Sequence, residues 1–315
     1  MNIIFLDQSN APDLAGALTK FETGFTYPLG AAQRFGVRHG SDYSRFFRAM
    51  GQAQCIVAME RERVVGAIAV VLRQLIAPDG RTLPAAYLGD LKIAPSARGG
   101  RVLINLARHA AAWALERTGI AFSVVMGGTA MTPDRYTGRA GLPAFTELAK
   151  LAVIRIPLER SVADPASSIS ADFENSAAPF CSLSAGRYAT LAFAPHLRSE
   201  TAPTAITLTD GNASGFIEDT RRAKRLIVKG GAEMVSAHLS HFAFRSATDG
   251  ARLVRAACGL AAQHGFPALF FAVHEPDAAS LLAALCVDGA TVAPATVYGC
   301  GLPDNVGWNI NTSEI

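Results

Sequence analysis

The chain has 315 residues, and its 29 Lys and Arg against 26 Asp and Glu leave a formal charge of +3 at pH 7, too small a bias for a nucleic-acid-binding protein. Half of the residues are hydrophobic and 17% are charged, so the chain can bury a sizeable core and is not a disordered polymer. At roughly 100–200 residues per domain, two domains are expected.

Cys55, Cys181, Cys258, Cys286 and Cys300 are scattered without a C-x-x-C pair. This argues against a disulfide framework and a zinc cluster, and for a reducing compartment, the cytoplasm. The opening MNIIFLDQSNAPD lacks a basic region, and Asp7 ends its apolar run too early for a signal peptide. Val64–Leu72 and Phe266–Val273, the longest uncharged apolar stretches, are about half the ~18 residues of a membrane span, so no span is expected.

In chain order, Ala11–Phe21 and Asp42–Met50 are predicted as amphipathic helices. Three strands follow: Cys55–Met59, Val64–Ile76 and Ala85–Ile93, separated by Arg61-Glu62-Arg63 and Ala77-Pro78-Asp79-Gly80. Gaps this short require antiparallel hairpins. After Pro95, apolar residues at Leu103, Leu106, Ala110, Trp113 and Ala114 recur at helical spacing up to Gly119, and Phe122–Met126 reads as a buried strand. This strand–helix–strand unit predicts a parallel pair in one sheet. Leu151–Leu158 closes the half as a strand.

Ser161–Pro179, rich in Ala, Ser, Asp and Pro, is the expected linker, so the domains are expected at 1–160 and 180–315. The second half is predicted as strand Ala205–Thr209, helix Gly215–Leu226, strand Glu233–Phe244, helix Gly250–His264, strand Ala268–Val273, helix Asp277–Leu285 and strand Thr291–Tyr298. The element order resembles the first half. A degenerate internal duplication and an unrelated second α/β domain are both consistent with it.

The chemistry is concentrated in Leu88–Leu106, LGDLKIAPSARGGRVLINL. A strand ends at Pro95, and Arg98-Gly99-Gly100-Arg101 places two glycines and two arginines at a helix N-terminus. Backbone N–H groups and the positive end of the helix dipole favour phosphate at such a point, and the guanidinium groups add charge-assisted contacts. An ordinary glycine turn into a helix is the plainer reading of the same residues.

This segment resembles the GNAT superfamily of acyl-CoA-dependent N-acyltransferases, whose pattern is L-x-D-L-x-V-x-P before an R-G-x-G-[IV]-[GA] loop. Asp90, Leu91, Ile93, Pro95, Arg98, Gly99 and Val102 match in order and spacing. Arg101 stands where the second loop glycine is usual, and Leu103 where a small residue is usual. The resemblance covers about Met1–Leu158 and implies a mixed α/β fold, with two tandem copies if the second half is a degenerate repeat. It implies acyl-CoA, acetyl-CoA first, held by Arg98, Gly99, Gly100, Arg101 and Val102. The pantetheine arm would run along Leu91, Lys92 and Ile93, in a splay between the fourth and fifth strands.

The implied reaction is direct transfer of an acetyl or short acyl group to a primary amine of a small molecule or peptide. It needs a proton acceptor, an oxyanion site and a donor to the leaving thiolate. Backbone N–H groups near Leu91–Ile93 are expected at the oxyanion. The resemblance puts Tyr136 in the donor role, although it also reads as a packing tyrosine. Asp90 is the candidate base, with Glu60 an outside choice; Asp90 and Lys92, two apart on a strand, could instead form a solvated salt bridge.

No metal is expected: His238 and His241, three apart on a strand, face opposite sides. In the second half, Glu218–Arg225 (EDTRRAKR) reads as a solvated helix face or as a contact for an anionic substrate. Arg245–Arg252, with one glycine and Asp249, lacks a pyrophosphate loop, so the second half is not expected to hold acyl-CoA. Two other functions fit the resemblance: a non-catalytic acyl-CoA-binding module, and an acyltransferase taking a long-chain or acyl carrier protein thioester.

Overall fold

The computed structural model describes residues 1–7, 9–29, 33–158, 167–170 and 172–315. The first half runs β1 (Asn2–Leu6), α1 (Ala11–Glu22), β2 (Tyr27–Leu29), β3 (Gln33–Arg38), the single turn α2 (Arg45–Arg48), β4 (Gln52–Glu60), β5 (Arg63–Ile76) and β6 (Thr82–Ile93). It continues through α3 (Val102–Leu115), β7 (Ala121–Met126), the short α4 (Pro133–Tyr136) and β8 (Thr146–Pro157). Beyond it come β9 (Ser167–Ser170), α5 (Ala177–Leu183), β10 (Arg187–Thr190), β11 (Thr204–Leu208), β12 (Ala213–Glu218) and β13 (Arg225–Val228). The last elements are β14 (Ala237–Phe244), α6 (Ala247–Gln263), β15 (Ala268–His274), α7 (Glu275–Leu285), β16 (Thr291–Cys300) and β17 (Gly307–Asn309).

Strand alternation sends successive residues of β4, β5 and β6 to two different cores. Ile56, Ala58, Ile68, Val70 and Ala86 meet Val102, Leu106, Ala110 and Ala114 of α3, a four-residue apolar period on one helix face. Cys55, Val57, Ala67, Ala69, Val71 and Tyr87 face the other way, toward Leu18 and Phe21 of α1 and Phe46 and Phe47 of α2. With both faces covered, β5 is apolar almost throughout, and this is why its sequence does not alternate.

One sheet carries both halves, in the order β1-β4-β5-β6-β7-β16-β8-β15-β14-β12-β11-β9. Its two ends repeat one plan. β4, β5 and β6 are antiparallel neighbours, and α3 crosses over to β7, parallel to β6. Likewise β11, β12 and β14 are antiparallel neighbours, and α6 crosses over to β15, parallel to β14. Between them the halves exchange strands. β16 lies between β7 and β8 of the first half, and β8 lies between β16 and β15 of the second.

The meander, α3, β7 and the strands and helices after residue 236 follow the predicted order. Two predicted helices do not form, and one hairpin lies outside the prediction. The helix expected at Asp42–Met50 is one turn, because Asp42 and Ser44 are spent on turn contacts with Arg45 and Arg48. The hairpin of β2 and β3 was not anticipated, and β13 pairs with β3 in a small sheet that ties the halves together. The helix expected at Gly215–Leu226 is β12, a 3-10 turn capped by Asp219, and β13. Every residue of β12 is buried, so Glu218 points inward rather than toward Arg221 or Arg222. Of the expected linker, residues 161–166 and 171 lie outside the described residues, β9 pairs with β11, and residues 177–183 are helical.

Candidate active site

β6 and β7 are paired only at Ala86 with Ala121 and Tyr87 with Phe122; beyond these residues the two strands part. The parting is reinforced by a bulge, where the register with β5 shifts between Ala67 and Ala69 and Asp90 adopts φ 55°. A non-glycine residue in this left-handed region is strained and is held there by its surroundings. Leu91, Lys92 and Ile93 follow on the diverging end of β6.

The loop at the open end is a 3-10 turn, Pro95–Ala97, then Arg98 in extended backbone, Gly99 at φ 76° and Arg101 at the N-cap of α3. Arg98, Gly99, Gly100 and Arg101 are exposed, and Val102 is buried beneath them. Among the described residues the N–H groups of Gly99, Gly100 and Arg101 donate to no protein acceptor, as is general for the N–H groups at a helix start. Gly66 of β5 positions the loop: a Cβ there would come within 2.8 Å of Val102 Cγ1 and Leu106 Cδ1. The side chain of Arg101 lies on the exposed side, at a position where the resemblance expects bare backbone.

Asp90 does not stand free. Lys92 Nζ lies 2.6 Å from Asp90 Oδ1, Tyr43 Oη donates to Oδ2 at 2.5 Å, and His39 Nδ1 is 4.0 Å away. Burial alone would raise the Asp90 pKa, but the charges of Lys92 and His39 and the hydrogen bonds from Lys92 and Tyr43 outweigh it and hold the carboxyl below its ordinary value. The salt-bridge reading of Asp90 and Lys92 is thus realised, in a buried rather than a solvated pair. Glu22, from the end of α1, accepts from His39 through its backbone N–H (3.1 Å) and faces Nδ1 at 2.5 Å. The imidazole is enclosed by the rings of Tyr43, Phe46 and Phe47.

Glu22, His39 and Asp90 each offer a ligand-type atom within 4.8 Å of the others. Lys92 Nζ, 2.6 Å from Asp90 and 3.6 Å from Glu22, already supplies a cation there, which makes the arrangement a mixed ion cluster rather than a metal cradle. Glu60 is exposed at the end of β4. Tyr136 ends α4, and burial together with Asp134 pushes its hydroxyl up to about 12, so it is protonated at neutral pH. Among the described residues no hydrogen bond joins Tyr136 to the Asp90 cluster.

A second polar group fills the boundary between the halves, and sequence reading missed it. Arg198 donates to Glu218 through Nε and Nη2 and to Glu314 through Nη1 (3.0 Å), and Arg73 Nη2 lies 2.8 Å from the other oxygen of Glu314. Lys224 Nζ donates to the carbonyl of Ile315 (2.8 Å) and sits 5.0 Å from the Phe46 ring. Burial, with Arg198 adding repulsion, lowers its pKa to about 7. The residues come from segments far apart in sequence, so no local motif marks them. The available signal was Arg73, a cation directly after the apolar run Val64–Leu72 of β5.

β14 and β15 also part after two residue pairs, Ala237 with Leu269 and His238 with Phe270. Here the chain itself covers the opening. His241 N donates to Asn311 Oδ1, Ser240 and Ser313 hydroxyls bond at 2.9 Å, and His238 Nδ1 lies 3.0 Å from Thr312 Oγ1. At the start of α6, Ser246 is the N-cap and Asp249 its first-turn acid.

Residues 9–139 match the acetyltransferase (GNAT) domain family. No curated protein matches the chain by sequence. Among solved structures, Saccharomyces cerevisiae N-myristoyltransferase with bound myristoyl-CoA is similar over 99% of this chain and 82% of that one, with a TM-score of 0.62 at 10% identity. A GCN5-related N-acetyltransferase from Anabaena variabilis is similar over 95% of this chain and 72% of that one, with a TM-score of 0.54 at 16% identity. These likenesses extend the fold assignment across both halves. No helix among the described residues is long and apolar enough to cross a membrane. Residues 9–139 are therefore similar to the acetyltransferase (GNAT) domain, and the chain as a whole has a tandem GNAT-like mixed α/β fold.

Proposed function

We propose that the protein is an N-acyltransferase that moves an acyl group from acyl-CoA to a primary amine by direct transfer, with its one acyl-CoA site in the first half. The observation that carries this reading is the parting of β6 and β7 beside the Gly99–Gly100 loop at the start of α3. Arg98, Gly99, Gly100, Arg101 and Val102 would take the pyrophosphate. The backbone of Leu91, Lys92 and Ile93 would hold the pantetheine arm and place N–H groups at the oxyanion. The filled parting of β14 and β15 supports a single site per chain.

Asp90 is assigned the amine's proton. The ammonium first loses one proton to solvent, because only the neutral amine adds to the thioester carbonyl. The nitrogen of the adduct is far more acidic than a free ammonium, and Asp90, though a weak base, suffices to take its proton. Tyr136, protonated throughout the neutral range, donates to the departing sulfur. One proton per turnover thus leaves to solvent, and the thiol carries the other.

A longer acyl chain is the second reading, favoured by the likeness to structures that hold myristoyl-CoA. Calorimetric titration with acetyl-CoA and with myristoyl-CoA, followed by CoA release with an amine panel, separates the readings. One site per chain for either donor and amine-dependent CoA release support the proposal. Saturable binding without release would leave a non-catalytic acyl-CoA-binding module. No binding of either donor, with activity toward an acyl carrier protein thioester, would move the donor to the carrier protein.

A further inference from the structure

The charge run of residues 218–225 does not form a helix face, and its members divide between inside and outside. Glu218 and Lys224 are buried, while Arg222 reaches a cleft of about 460 Å³ lined by Arg45, Arg48, His196, Leu197 and Arg222. Both halves contribute to it, and its size lies in the range of small-molecule sites. Three guanidinium groups stand there, and the carboxylate in contact with two of them is Asp42.

The arginines are held in place. Arg48 donates to Ser44 Oγ (2.6 Å) and Asp42 Oδ2 (2.8 Å), Arg45 Nε to Asp42 Oδ2 (3.3 Å), and Arg222 Nη1 to the His196 carbonyl (3.2 Å). Arg45 and Arg48 nevertheless keep 41% and 40% of their side chains exposed, so donors remain for a ligand. Fixed guanidinium forks suit planar carboxylates and phosphate oxygens, and pre-organisation lowers the entropic cost of binding them.

The segments that line the cleft also carry residues of the two buried polar clusters. Phe46, between Arg45 and Arg48, packs 5.2 Å from the His39 ring and 5.0 Å from Lys224 Nζ. Arg198, next to Leu197, holds Glu218 and Glu314, and Lys224 lies two residues beyond Arg222.

We propose that this cleft binds an anionic group of the acceptor, so that the amine acylated belongs to a molecule that also carries a carboxylate or a phosphate. The proposal rests on the N-acyltransferase reading and narrows its substrate class. A polycationic amine would meet three guanidinium groups there and a carboxylate, Asp42, that Arg45 and Arg48 already contact.

Matched acceptors test it: an amino acid against its amide, and phosphoethanolamine against ethanolamine, followed by CoA release in the wild type, in Arg222→Gln and in an Arg45→Gln/Arg48→Gln double variant. The expected result is a KM about tenfold lower for the anionic member of at least one pair, a preference that collapses in both variants. The pair that shows it distinguishes carboxylate from phosphate. Equal KM values within both pairs, or a preference that survives the substitutions, overturns the proposal.

Inorganic phosphate and acetate are titrated separately into wild type and Arg222→Gln, with chemical shifts as the readout. This arm holds even if no amine is acylated, an outcome that would count against the transferase reading alone. Saturable binding of either ion that weakens in Arg222→Gln supports the cleft, and the absence of saturable binding of both rejects it.

Discussion

Arg198 and Glu218 form a two-pronged ion pair, Nε to Oε2 at 2.7 Å and Nη2 to Oε1 at 2.9 Å, with neither side chain exposed to solvent. Ser240 Oγ donates to the same Glu218 oxygen at 2.6 Å, and Glu314 takes the third guanidinium nitrogen. The desolvation of these charges is offset only while each has its partner. Glu218→Gln leaves a buried guanidinium short of charge and should destabilise the fold by about 3–5 kcal/mol. Urea unfolding measures it, and a loss below ~1 kcal/mol would show that water or rearrangement replaces the carboxylate.

Gly66 links packing to the proposed pyrophosphate loop. A methyl group there meets the side chains of Val102 and Leu106 at 2.8 Å, so these must repack or α3 must move away from β5 and carry the Arg98–Arg101 loop with it. Overpacking of this kind costs about 1–3 kcal/mol. Gly66→Ala should therefore lower both the melting temperature and acyl-CoA affinity. A variant that loses stability but titrates acyl-CoA like the wild type would uncouple the loop from the strand beneath it.

The proposed loop and donor separate by their kinetics. Arg98→Ala removes one charge-assisted phosphate contact and should weaken acyl-CoA binding by ~1–3 kcal/mol, with the fold intact. Tyr136→Phe should reduce kcat while leaving acyl-CoA affinity as it was. Unaltered affinity in Arg98→Ala rejects the loop as the pyrophosphate site, and full turnover in Tyr136→Phe removes the hydroxyl from the reaction.

Lys224 gives the fold a pH dependence of defined sign. Its pKa is about 7 in the folded chain against 10.5 for a free lysine, because burial and Arg198 disfavour the ammonium. Between these values the unfolded chain binds the extra proton, so stability rises with pH from about 7 to about 10.5. Below about 7 the ammonium is present in both states and its burial cost is fully felt. Lys224→Met should flatten this rise in chemical denaturation measured across the window. An equally steep rise in the variant would assign the slope to other groups.

Local punctuation made the meander, the glycine loop and α3 legible in the sequence, since Asp79-Gly80, Pro95 and the spacing of Leu106, Ala110 and Ala114 each act within a few residues. Residues 213–228 misled for a related reason: charges three and four apart imitate a helix, but burial of all of β12 turns Glu218 inward to Arg198, a partner that helical spacing cannot reveal. The Asp90 cluster was half legible. Asp90 and Lys92 are neighbours on one strand, whereas Glu22, His39 and Tyr43 join them through tertiary packing alone. The exchange of β8 and β16 was not legible, because either strand would satisfy its alternation equally well against its own half.

That exchange carries a consequence for the first half on its own. In residues 1–160, β7 would lose β16, which pairs with it from Ala121 to Met126, and β8 would lose both of its neighbours. Leu151, Val153, Ile154 and Ile156, buried in the whole chain, would face water on a bare strand. The parting of β6 and β7 would then have no fixed outer wall. A 1–160 fragment should be aggregation-prone and unable to bind acyl-CoA, and co-expression with residues 161–315 should restore a soluble pair, because the missing strands then pair across the two pieces as they do in one chain. Size-exclusion chromatography with acyl-CoA titration decides it: a monomeric fragment 1–160 that binds the donor would mean that the first half folds without the strand it borrows.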